Sequence, residues 1–142
     1  MTLNQDLVRK RSNEIAESLA RLESIGQLAR DQFLADQDSK DIACYRLLLA
    51  IEAALALCYH WSARQLRATP EDYAGCFAIL ADAGLVPRDL AERLQRMARF
   101  RNLLVHMYWK IDYERVYDVL HHDLDDLRSF CALVTRQTLT GS

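Results

Sequence analysis

The apolar positions of this chain recur at spacings of three and four, the period of a helix that buries one face. Leu7, Ile15, Leu19, Leu22, Ile25 and Leu28 form one such stripe and predict a long helix over residues 3–35. In DQDS, Asp38 or Ser39 is a ready N-cap for a second helix over 40–66. The middle of that helix, LLLAIEAALALCYHW, is apolar almost all the way round, as a central, fully packed helix should be. Thr69-Pro70 suits the start of a third helix, with Thr69 capping, Tyr73, Phe77 and Leu80 inward, and Gly84 ending it as a C′ residue. Pro87 opens a fourth, which carries Leu90, Leu94, Met97 and Phe100 into RNLLVH. Asp112 caps a fifth, striped by Val116, Leu120, Leu124, Leu127, Cys131 and Val134. No segment alternates apolar and polar residues long enough for a strand. The expected fold class is therefore all-α, an antiparallel bundle of about five helices.

With 142 residues, the chain reads as one domain over 1–142, large enough to bury a core unaided by disulfides or metal. Four Gly and two Pro leave little punctuation, which agrees with long helices. The first residues, MTLNQDLVRKRSNE, hold no apolar run, so no signal peptide is expected. The run Leu47 to Trp61 is too short for a bilayer and contains Glu52 and His60, which predicts a cytoplasmic protein with no membrane partner. Cys44, Cys58, Cys76 and Cys131 show no paired spacing and sit among apolar neighbours, the pattern of buried reduced thiols.

A formal net charge of −2 gives no general attraction to nucleic acid, so a basic site would have to be local. Positive charge does concentrate between residues 88 and 110, where Arg88, Arg93, Arg96, Arg99, Arg101 and Lys110 face only Asp89 and Glu92. A solvated helix face explains this as readily as a binding site. Within the same stretch, Asn102 and His106 stand one turn apart, and Arg101 lies about 100° from Asn102, within reach of the same space. A histidine at a helix end can equally be a C-terminal cap. Glu52, alone in the apolar second helix, either pairs with an arginine or faces solvent or a seam between copies. In His121-His122-Asp123-Leu124-Asp125-Asp126, metal-ligand types stand at helical spacing, but no third element converges on them, and a solvated face is the simpler reading.

The string Arg101-Asn102-Leu103-Leu104-Val105-His106-Met107-Tyr108 matches the R-x4-H-x-Y signature of the HepT toxins, and the chain resembles that HEPN-fold family well beyond it. The likeness runs through MARFRNLLVHMYWKIDYERVYDVL to the closing DLDDLRSF. It implies a homodimeric HEPN bundle in which two copies of the motif line one cleft. It also implies a metal-independent endoribonuclease that needs no cofactor and cleaves mRNA or tRNA, the toxin of a toxin–antitoxin pair. Arg101 and His106 would be catalytic, and Asn102 would orient His106 or touch phosphate, if it is more than a surface residue. A small nucleotidyltransferase antitoxin, MntA, would silence the toxin by moving AMP from ATP onto Tyr108.

The residue types suit that chemistry. RNA carries its own nucleophile, the 2′-hydroxyl, so the site needs a proton acceptor, a proton donor and positive charge at the phosphorane. Imidazole titrates near neutrality, and a guanidinium is permanently charged with a planar fork that fits phosphate. The products would be a 2′,3′-cyclic phosphate and a 5′-hydroxyl. A second reading is a non-catalytic HEPN module that binds a nucleotidyltransferase partner; an intact Arg101, Asn102, His106 and Tyr108 favours the enzyme. The chain is not the nucleotidyltransferase itself, because it lacks a Gly-Ser loop with an Asp-x-Asp pair on strands.

Overall fold

A computed structural model describes residues 2–106 and 108–140, without the side chains of Tyr73, Tyr108 and Thr140. Its elements are helical throughout, as the pattern predicts, but the described residues form seven α-helices rather than about five. They are α1 (Gln5–Gly26), α2 (Arg30–Ala35), α3 (Gln37–Trp61), α4 (Tyr73–Asp82), α5 (Arg88–His106), α6 (Tyr113–His122) and α7 (Leu124–Thr140). A π turn, Ser62–Leu66, extends α3, and a 3-10 turn, Tyr108–Lys110, follows α5.

The two extra helices arise where predicted long helices break. The first ends at Gly26, and α2 resumes at Arg30. The break is held from outside: Tyr117 of α6 donates its hydroxyl to the Leu28 carbonyl at 2.7 Å, taking an acceptor that the interrupted helix leaves open. The Phe33 ring packs 5.5 Å from that of Tyr117, anchoring α2 on the same residue. The predicted fifth helix divides at Asp123, whose N–H still bonds Val119 at 3.0 Å while Asp126 turns its carboxylate to Arg93 of α5 at 2.9 Å. Both breaks depend on partners distant in sequence. Replacing Tyr117 by Phe removes only the hydroxyl and leaves the Leu28 carbonyl half-buried; the expected loss is about 0.5–1.5 kcal/mol, read from urea unfolding.

Helix starts differ from expectation in two places. Asp36, not Asp38 or Ser39, caps α3, accepting from the Asp38 N–H at 3.2 Å and the Ser39 hydroxyl at 2.7 Å. Asp72, not Thr69, caps α4 through the Gly75 N–H at 2.6 Å, because Arg67 turns left-handed at φ 50° and keeps the Thr69-Pro70 stretch out of the helix. Gly84 ends the α4 segment at φ 77°, as expected, and Asp112 caps α6 through the N–H groups of Glu114 and Arg115. The predicted inward placement of Tyr73 lies outside the described side chains.

The long central helix is α3, which packs mainly along α1 and also touches α2, α4, α5, α6 and α7. With its π turn the helix spans Gln37–Leu66 and is long and apolar enough to cross a membrane by length and composition alone, but half of its apolar window is buried inside the bundle. Trp61, Phe77 and Phe130 meet at the core, with ring centroids 6.2 and 5.3 Å from Phe130. Here the structure also corrects the cysteine reading. Cys58 on α3 and Cys76 on α4 form a disulfide across 6.2 Å between Cα atoms, a proximity set by helix packing and invisible in a separation of 18 residues. Cys44 and Cys131 are free thiols, pushed up to about 11 chiefly by burial.

Candidate active site

The helix α5 lies with Leu90, Ala91, Leu94, Met97, Ala98, Phe100 and Leu104 buried, so its register alone decides which way the motif side chains face. Arg101 points inward: its side chain is only 12 % exposed and its Nε donates to Oε1 of Glu52 on α3. Glu52, at 40 % exposure, thus has an arginine partner from α5. Of the two readings open for it, the structure selects the arginine partner. The guanidinium also donates from Nη1 to the Asn102 amide oxygen at 3.1 Å. Glu52, Arg101 and Asn102 therefore form one chain of charge-assisted hydrogen bonds that holds the guanidinium plane.

Asn102 and His106 are both exposed and share the outer face of α5, one turn apart. His106 has no hydrogen bond or ion pair among the described residues, so its imidazole is committed to no structural partner. The structure thus joins Arg101 to Asn102 directly and sets His106 beside Asn102 by helix geometry. Tyr108 begins the 3-10 turn just beyond α5, but its side chain lies outside the described residues. Around the motif, Leu103 (36 % exposed), Val105 (37 %) and Trp109 (65 %) turn apolar surface outward. Such large groups near a polar motif suit a surface that is covered in an assembly.

The acidic and histidine-rich segment at 121–126 is occupied in other ways. The His121 ring stacks 4.4 Å from Tyr117, Asp125 binds Arg128 at 2.6 Å, and Asp126 binds Arg93. Among the described residues no three His, Cys, Asp or Glu side chains converge as a metal site. Sequence reasoning could not assign Glu52 a partner. The signal was there, a lone carboxylate in an apolar helix, but its partner stands 49 positions away.

Comparison with known proteins bears on this arrangement. A family model described as Ribonuclease HepT-like matches residues 15–134. The mRNA nuclease HepT of Shewanella oneidensis is 27% identical over 124 residues, covering 86% of this chain and 93% of that protein. A solved structure of a tri-AMPylated Shewanella oneidensis HEPN toxin in complex with MNT antitoxin superposes with a TM-score of 0.86 at 23% identity, over 94% of this chain and 99% of that one. YutE, a cytosolic protein of unknown function from Bacillus subtilis, superposes with a TM-score of 0.83 at 18% identity, over 99% and 95% of the two chains. The fold is that of the HEPN toxins.

Proposed function

The chain belongs to the HepT-like ribonuclease family, and from that premise we propose that it is the toxin of a toxin–antitoxin pair, an endoribonuclease acting through Arg101 and His106. The observation that carries the reading is the arrangement along α5: a guanidinium clamped by Glu52 and Asn102, and, one turn from Asn102, the exposed imidazole of His106, which has no hydrogen bond or ion pair among the described residues. The cognate partner is a nucleotidyltransferase antitoxin of the MNT kind, and the working compartment is the cytoplasm.

The reaction is attack of the RNA 2′-oxygen on the adjacent phosphorus. A base takes the 2′-hydroxyl proton, the P–O5′ bond breaks, and an acid protonates the leaving 5′-oxygen. The products are a 2′,3′-cyclic phosphate and a 5′-hydroxyl, and no metal ion enters. His106 supplies proton transfer. Arg101 meets the charge that builds on the phosphorane oxygens, and its prior clamping means little reorganisation is needed at that moment. In a homodimer, two His106 side chains across one cleft divide the acid and base roles. The exposed Leu103, Val105 and Trp109 supply apolar surface for that seam.

AMP on Tyr108 would bring phosphate charge and a nucleotide to the turn that leaves the motif helix, repelling RNA from the cleft. The test is cleavage of total RNA by the purified chain in EDTA, alone and after incubation with the antitoxin and ATP. The expected outcome is fragmentation by the untreated protein, silencing after incubation, and continued cleavage by Tyr108→Phe under the same treatment. Intact RNA in the untreated reaction, with Tyr108 shown by mass to be unmodified, would turn the reading to a non-catalytic HEPN module.

A further inference from the structure

Folding neutralises part of the positive charge gathered on α5 and leaves a defined remainder. Arg88 binds Asp82 at 2.7 Å, Arg93 binds Asp126 at 2.9 Å and Asp89 at 3.4 Å, and Arg101 binds Glu52. Arg96 and Arg99 are exposed and have no hydrogen bond or ion pair among the described residues. They are not scattered. Arg96, Arg99, Leu103 and His106 follow one another at helical spacing and form a single exposed stripe, with about 15 Å along the axis from Arg96 to His106.

A third arginine, Arg115, whose side chain has no hydrogen bond or ion pair among the described residues, joins them from α6. Arg115 lies with its guanidinium 4.8 Å above the Phe100 ring, a contact that orients a flexible side chain in advance. Arg96 and Arg115 line a cleft of about 150 Å³ between α5 and α6, floored by Met97, Phe100 and Val119. Two carboxylates also reach it. Asp118 is drawn to Arg30 at 2.8 Å, and Asp123 is the acidic group set against Arg96 and Arg115. Burial and the neighbouring Asp126 push the Asp123 carboxyl up, while Arg96 and Arg115 draw it down.

We propose that this cleft, continued by Arg99, holds backbone phosphates of single-stranded RNA a few nucleotides away from the bond cut at Arg101 and His106. The inference rests on the ribonuclease reading and adds a substrate-binding track to it. Its ligand is the phosphodiester chain. Arg96 and Arg99 stand on the α5 stripe that leads to His106, and Arg115 flanks Arg96 across the cleft with its planar fork already stacked on Phe100. Among the described residues that line the cleft, no aromatic face is exposed for bases to stack on, since Phe100, beneath Arg115, is buried, so the cleft offers charge rather than base readout. On a chain of net charge −2 the attraction is local, so it places the strand rather than collecting nucleic acid in general.

The test is the affinity of a short 2′-O-methyl RNA, which binds but lacks the attacking hydroxyl, measured by fluorescence anisotropy across a salt series. Arg96→Gln and Arg115→Gln should each weaken binding on the order of tenfold near 0.1 M salt and flatten the plot of log affinity against log salt by about 0.7. Arg115→Lys should keep the slope. Asp123→Asn should tighten binding, a gain that damage to the fold would not produce. On cleavable RNA the two Gln variants should raise KM and leave kcat unchanged. Wild-type slope and affinity in both Gln variants, with wild-type protein cutting RNA, would overturn the track alone. Normal RNA binding with loss of the nucleotidyltransferase partner would assign the cleft to a protein and also overturn it. Failure of the wild type to cut any RNA would remove the ribonuclease reading and the track with it.

Discussion

Replacing His106 with alanine is expected to slow RNA cleavage by about 10²–10⁴-fold, the range in which a positioned acid or base contributes. The variant is informative because the residue does so little for the fold. Its side chain is exposed at the end of α5 and is engaged by no hydrogen bond or ion pair among the described residues. Stability should therefore stay within about 0.5 kcal/mol of wild type, as for other surface substitutions. Arg101→Ala should also abolish activity, but it removes a side chain 12 % exposed and strands Glu52, so its effect mixes chemistry with packing. Single-turnover rates on a labelled RNA, paired with thermal melts, separate the two. A His106→Ala protein that keeps more than a tenth of wild-type activity would remove His106 from the chemistry.

The second large effect is expected at Glu52, which touches no substrate in this account. Its carboxylate holds Nε of Arg101 and so sets where the guanidinium fork stands. A misplaced catalytic group can cost on the order of 10²-fold in rate, and that is the fall in kcat expected for Glu52→Ala. Glu52→Gln keeps the shape and a neutral hydrogen bond, and should fall between that variant and wild type. Because Glu52 is 40 % exposed, the stability cost of Glu52→Ala should lie well below that of a fully buried pair, at about 1–2 kcal/mol. KM should change little in either variant. A Glu52→Ala enzyme with wild-type kcat would show that Arg101 needs no tether. Arg101→Lys should not restore activity in any background, since an ammonium cannot reproduce the fork.

How far the sequence reaches is clear from particular residues. The stripes through Ile15, Leu19 and Leu22, and through Val116, Leu120, Leu127 and Val134, predict faces that are buried in the folded chain. Period and burial are the same information there. The helix breaks at 27–29 and at Asp123 were not legible, because the apolar stripe runs on past Gly26 to Leu28, no Gly or Pro marks the second, and the groups that stabilise them, Tyr117 and Arg93, come from other helices. The Cys58–Cys76 disulfide was hidden for a similar reason: two apolar helices bring the sulfurs together, and their separation along the chain carries no trace of it. At the site, the motif residues could be named from their order. The inward turn of Arg101 could not, since it depends on which face of α5 meets α3. Charge shows the same limit. Counting cations between 88 and 110 cannot tell Arg88 and Arg93, which form ion pairs, from Arg96 and Arg99, which form none among the described residues.

The central claim is that Arg101 and His106 drive attack by the RNA's own 2′-oxygen. It is tested most directly by the 3′ ends of RNA cut in EDTA by wild type, Arg101→Ala and His106→Ala. The account predicts 2′,3′-cyclic phosphate ends, appearing with wild type and not with either variant. Fragments bearing 3′-hydroxyl ends, or equal cleavage by all three proteins, would contradict it.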